Sequence, residues 1–225
     1  MSGRVWLAAL GLGILCSVGC GSSSRSSSGT ANLRVFQGSP DAQHADVLVD
    51  GKQVSTDIAY GGNSGYISVN SGSRHVQVVP TGGSAPIADQ TLTLASNSNQ
   101  TMVITGPVAS AKTVVLTDAG TTAAAGDGYM RVFNASNSVG PADVYIVVAG
   151  ASIVGIQPVV SSMAFDKDTG YKLLPAGNYD IFLTAPATTN AYLNTGSINL
   201  PASANQTVVT LDNNAGGLTY ALLTD

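Results

Sequence analysis

Apolar and polar positions alternate with a period of two along most of the chain. Arg74, Val76 and Val78 alternate with His75, Gln77 and Val79, and Tyr179, Ile181 and Leu183 alternate with Asp180, Phe182 and Thr184. Thr91–Leu94 and Ser197–Leu200 carry the same pattern in miniature. A period of two places successive side chains on opposite faces of a strand, so these segments predict β-strands. The run Ala45–Val49 stops at Asp50-Gly51, a dipeptide suited to the tight turn of a hairpin. No segment beyond residue 20 sustains the 3.6-residue period of a helix.

The pattern occurs twice. Leu33-Arg34-Val35-Phe36 returns as Met130-Arg131-Val132-Phe133, and Ala45-Asp46-Val47 as Ala142-Asp143-Val144, both 97 positions later. Gly65-Tyr66 matches Gly170-Tyr171, and Asn99-Gln100-Thr101 matches Asn205-Gln206-Thr207. Each copy closes on the same tripeptide, Leu116-Thr117-Asp118 and Leu223-Thr224-Asp225, now 107 positions apart. The drift from 97 to 107 puts about ten extra residues in the loops of the second copy. Seven or eight short strands per copy, spaced by turn residues, predict an all-β chain of two tandem β-sandwich, immunoglobulin-like domains. The copies span residues 33–118 and 129–225, with a small-residue linker at 119–128.

The first twenty residues follow a different rule. Arg4 precedes an apolar run from Val5 to Leu15, the length of a signal-peptide core and short of the roughly 20 residues that span a bilayer. Ser17-Val18-Gly19-Cys20 resembles the lipobox of bacterial lipoproteins, in which the cysteine thiol takes a diacylglycerol and becomes the mature N-terminus. Residues 1–19 then form the signal peptide. Residues 20–32, dominated by Ser and Gly, form a flexible tether. Gly21, in place of Asp, implies by the same resemblance an outer-membrane anchor.

Composition narrows the chemistry. All 13 acidic residues are Asp, which favours caps and turns over helix interiors, and Gly contributes 26 positions. The formal charge is −4, with no cluster of Lys or Arg, which argues against a nucleic-acid partner. The two histidines, His44 and His75, have no counterparts in the second copy, and neither a metal nor another cofactor is expected. Gly62-Asn63-Ser64-Gly65 lacks the last glycine of a nucleophile elbow, because Tyr66 stands there. Asp166-Lys167-Asp168-Thr169-Gly170 has the spacing of half a calcium loop and reads better as a turn. The repeated Arg34 and Asp46, like Arg131 and Asp143, suggest one structural ion pair in each copy, joining its first two strands.

The stretch Leu33–Ala42 followed by Ala45–Gly51 resembles the opening of domain of unknown function 4397, found in tandem in secreted and lipoprotein-type bacterial proteins. The resemblance covers both copies and implies an exported sandwich domain, with no activity attached. The expected role is non-catalytic binding or structure at the cell envelope, with a glycan or another envelope protein as partner and the membrane reached through Cys20. The loops 38–43, 61–65, 82–86 and 166–170 are the first candidates for contact. Two alternatives carry their own signatures. A hydrolase would converge Asp residues in a cleft between the copies. A carbohydrate-binding protein would expose an aromatic platform drawn from Tyr60, Tyr66, Tyr145, Tyr171 and Tyr192. Mass spectrometry of the mature protein should find an acylated N-terminal Cys20 that is lost on globomycin treatment; an unmodified N-terminus elsewhere would remove the anchor.

Overall fold

A computed structural model of the chain describes Met1 and residues 29–118, 122–213 and 215–225. Cys20, Cys16, the apolar run and most of the Ser/Gly stretch lie outside the described residues. The first copy contains β1 (Thr30–Gly38), β2 (His44–Val49), β3 (Lys52–Ala59), β4 (Ile67–Asn70), β5 (Gly72–Pro80), β6 (Ala88–Leu94), β7 (Asn99–Thr105) and β8 (Lys112–Asp118). The second contains β9 (Asp127–Asn134), β10 (Ala142–Val148), β11 (Val160–Met163), β12 (Lys172–Pro175), β13 (Gly177–Thr184), β14 (Ala191–Asn194), β15 (Ile198–Leu200), β16 (Asn205–Asp212) and β17 (Leu218–Thr224). The expected all-β chain of two sandwich-like halves is what forms.

Each half has an inner and an outer sheet. The inner sheets run β4-β1-β7-β8 and β12-β9-β16-β17; the outer ones run β3-β2-β5-β6 and β11-β10-β13-β14, with β15 also on β13. The first strand of each copy lies parallel to the last but one: Asn32 aligns with Asn99 and Gly38 with Thr105, as Tyr129 does with Asn205 and Asn134 with Thr210. Antiparallel pairing with Ser68–Asn70 of β4 draws Thr30–Asn32, read from sequence as tether, into β1. Asn32 also donates from Nδ2 to Asn99 Oδ1 at 2.9 Å. Likewise β9 starts at Asp127, inside the stretch read as linker.

Three apolar layers follow from the alternation. Leu33 and Val35 on β1, with Met102 and Ile104 on β7, face Val47, Val76 and Val78 of their own outer sheet. Met130, Val132 and Val208 face Val144, Ile181 and Leu183 in the second copy. The intervening residues do not meet water. Phe36, Val103 and Leu116 pack against Phe133, Val209 and Leu211 across the two inner sheets. The two halves therefore form one four-layered body, outer–inner–inner–outer. Both faces of β1 and β7 are buried, which is why Val35 and Phe36 are equally inaccessible.

The extra length of the second copy has one main location. Asp50 and Gly51, at φ of 51° and 76°, make the predicted tight turn between β2 and β3. Between β10 and β11 the turn is replaced by a loop over residues 149–159. Ile153 of this loop packs on Tyr145, Val147 and Phe182, which lie on the outward face of the outer sheet.

Candidate functional site

The repeated arginines meet at the junction between the inner sheets. Arg34 donates from Nε to Thr101 Oγ1 at 2.9 Å, from Nη1 to the Thr224 carbonyl at 2.9 Å, and from Nη2 to the Asp225 carboxylate. Arg131 repeats the set in reverse: Nε to Thr207 Oγ1 at 3.0 Å, Nη1 to the Thr117 carbonyl at 3.1 Å, and Nη2 to Asp118 Oδ1 at 2.6 Å. Each arginine thus binds the acid that closes the other copy. Tyr66 and Tyr171 complete the pattern, donating to Asp118 at 2.7 Å and Asp225 at 2.6 Å. Their rings lie under the guanidinium groups of Arg34 and Arg131, at 4.5 and 4.4 Å. All four charged side chains are 4% exposed or less, and the two positive charges balance the two negative.

This arrangement corrects the expected Arg34–Asp46 and Arg131–Asp143 pairs. On β1, Leu33 and Val35 point to the outer sheet, so Arg34 between them points away from it. On β2, Ala45 and Val47 point inward, so Asp46 points outward. The two side chains face opposite directions, and Arg131 and Asp143 are separated in the same way.

The repeated aspartates have a different task. Asp46 Oδ1 accepts the Asp57 N–H at 2.9 Å and the Thr81 hydroxyl at 2.7 Å. These bonds hold its carboxyl below the usual carboxylate range. Asp143 accepts the N–H groups of Ser162 and Ala187, each at 2.8 Å. Asp57 and Ser162 both have positive φ, 58° and 50°, and mark the bulge where β3 and β11 slip register against β2 and β10. Each carboxylate therefore clamps a strained edge bulge to the turn that follows β5 or β13.

A concave surface opens beside each clamp. The larger, about 710 Å³, lies in the second copy between the 149–159 loop and the turn at 186–190. Tyr145 and Ile153 line it, and Gln157, Ser161, Ser162, Thr189 and Asn190 supply polar groups. The first copy has a smaller one, about 520 Å³, lined by Asp41, His44, Asp57, Thr81 and Val108. There His44 Nδ1 sits 2.9 Å from Asp57, while His75 pairs with Asp89 on the outer sheet.

The remaining sequence candidates settle into structure. Ser64 accepts the Val35 N–H at 2.9 Å and donates to the Gly65 carbonyl, so its hydroxyl closes a turn. Asp168 accepts the Gly170 N–H at 2.6 Å, as Asn63 does for Gly65, so Asp166–Gly170 is a turn shared by both copies. Among the described residues no group of three or more metal-ligating side chains converges. Of the five tyrosines, Tyr145 is 5% exposed and Tyr192 is 42% exposed. Tyr60 donates to the Asp212 carbonyl at 2.9 Å. The loop at 38–43 contributes Asp41 to the smaller concavity, and the Asp166–Gly170 turn lies by the junction. Of the groups lining the larger groove, Asp143 and Tyr145 were candidates from sequence in other roles, while Gln157, Ser161, Thr189 and Asn190 were not found. Their one signal was the jump in repeat offset from 97 at Asp143 to 105 at Gly170.

Comparison with known proteins agrees with this duplication. The family model described as domain of unknown function (DUF4397) matches residues 31–145 and again 128–225. The chain belongs to that family. No curated protein matches it. Similar solved structures are distant. A streptococcal virulence factor, titled for alpha-glucan binding, aligns at TM-score 0.27 and 9% identity, over 80% of this chain and 92% of that one. Family 41 carbohydrate-binding modules from streptococcal virulence factors, titled for alpha-glucan recognition, align at 0.26 and 12%, over 80% and 92%. The glycogen-degrading pneumococcal virulence factor SpuA aligns at 0.26 and 8%, over 82% of this chain and 21% of that one. Overlaps this low carry no ligand from those proteins to this one.

Two outcomes follow from the geometry. Asp118→Ala leaves Arg131 buried with only the longer contact to Asp225, at 3.7 Å, and should lower stability by about 3–5 kcal/mol in denaturant titrations, the cost of breaking a buried pair. Asp46→Ala, at an exposed clamp, should cost far less. The phenol of Tyr60 is pushed up to about 12, by burial and then by the Asp212 carboxylate, and burial beside Asp118 pushes that of Tyr66 up as well. A raised folded value means the contribution is complete below pH 10 and is lost as pH climbs through 12. Near-ultraviolet circular dichroism should therefore hold to pH 10 and decline above it.

Proposed function

We propose that this chain is an exported, lipid-tethered protein of the bacterial envelope that binds a partner without transforming it. The leader, Cys20 and the Ser/Gly tract support export and an outer-membrane tether. The partner classes that fit are a glycan or another envelope protein.

The observation that carries the reading is the division of labour among carboxylates. Asp118 and Asp225, the acids at the junction, are enclosed and saturated by Arg, Thr and Tyr donors, leaving no face for a substrate. Asp143 spends both oxygens on backbone amides. The open concave surface beside it offers amides and hydroxyls on a rigid frame, which is the make-up of a recognition site.

The mature chain, produced without residues 1–19 so that it is not acylated, should bind isolated envelope fragments saturably. Gln157→Ala combined with Asn190→Ala should reduce that binding about tenfold while leaving the melting temperature unchanged. Equal binding by the variant would contradict the assignment of the site, and product formed from the fragments would contradict the non-catalytic role.

A further inference from the structure

We infer that the groove of the second copy takes a neutral, hydroxyl-rich saccharide; this rests on the groove being the binding site proposed above.

Charge is the first argument. Among the described residues the only ionisable carboxylate in the lining is Asp143, and its two oxygens already accept the N–H groups of Ser162 and Ala187. No Lys, Arg or His among the described residues lines the groove. A phosphate, sulfate or carboxylate ligand would leave water and find no compensating cation, and a cationic ligand would find no free carboxylate. The lining therefore selects against both signs.

Hydrogen-bonding capacity is the second. The side chains of Gln157, Ser161, Thr189 and Asn190 line the groove and make no bond to another described residue, so their donors and acceptors are open to the cavity. Amides and hydroxyls that donate and accept at close spacing match vicinal hydroxyls, which also do both. The apolar surface of Ile153, Ile156 and Pro158 stands against these groups. A pyranose presents the same mixture, with a ring of C–H bonds edged by hydroxyls. About 710 Å³ accommodates a short oligosaccharide.

Rigidity is the third. The Asp143 clamp fixes Ser162 on one wall and Ala187 on the other, and Ile153 pins the loop to Tyr145. A preformed groove reduces the ordering cost of holding a flexible glycan. The first copy, with Asp41, Asp57 and His44 at its smaller concavity, lacks the neutral lining.

The test is affinity electrophoresis of the mature chain through native gels containing one soluble polysaccharide each. The neutral probes are a glucan, a mannan, a galactan and a xylan; the charged probes are polygalacturonate and chondroitin sulfate. Retardation by at least one neutral polymer and by neither charged one is expected. Gln157→Ala/Asn190→Ala should weaken it at least tenfold, and Gln43→Ala, in the first copy's concavity, should not. Retardation by no neutral polymer, by charged polymers alone, or unaltered by the groove variant overturns the inference. If envelope fragments still bind through the groove while every neutral polymer fails, the saccharide assignment falls alone. If the groove variant changes neither, the site itself falls with it.

Discussion

Two arginines and two aspartates, buried between the inner sheets, are the constraint on which the architecture turns. Taking four charges out of water costs several kcal/mol per ion before any attraction is counted. Here the cost is offset because each guanidinium also reaches a threonine hydroxyl and a backbone carbonyl, and each carboxylate also receives a tyrosine and a threonine. The short ion pairs of the cluster cross between the copies. Without Asp225, Arg34 would keep only the longer contact to Asp118 of its own copy, at 3.5 Å, and without Asp118, Arg131 only that to Asp225, at 3.7 Å. The ions therefore specify how the copies meet, while Phe36, Phe133, Val103 and Val209 supply the burial that drives them together.

The reciprocal contacts give the junction approximate two-fold symmetry within one chain, the self-complementary pattern of a homodimer interface. That symmetry ties the sequences of the inner sheets together, since Arg, Thr, Tyr and Asp serve the same end in each copy. Apart from the Asp46 and Asp143 clamps, the outer sheets carry no such obligation. In the first copy the outward surface holds His75, Gln77 and Asp89, joined by side-chain hydrogen bonds. In the second, Tyr145, Val147 and Phe182 lie under an inserted loop that also walls the groove. Divergence is concentrated where the fold permits it.

Much of the fold was legible in the sequence because its cause is local. Alternation places strands, Asp50-Gly51 places a hairpin, and collinear matches reveal the duplication. The partner of Arg34 was not legible. Spacing along the chain suggested Asp46, twelve residues on, but the pleat of each strand sends those two side chains in opposite directions. In the sequence the true partner stands only as punctuation, the Leu-Thr-Asp that ends each copy. Its role depends on two sandwiches stacking face to face, which no local pattern encodes. The groove was hidden for a related reason: Gln157, Thr189 and Asn190 are ordinary loop residues until β10, β11 and β13 bring them to one rim.

If the ion cluster and the shared apolar layer make the two copies one body, neither can unfold while the other stays intact. Differential scanning calorimetry of the mature chain tests this most directly. A single transition is expected, with a calorimetric enthalpy equal to the van't Hoff enthalpy and scaled to both copies together. Two resolved transitions, each with the enthalpy of one copy, would show that the copies are independent domains and that the buried charges do not couple them.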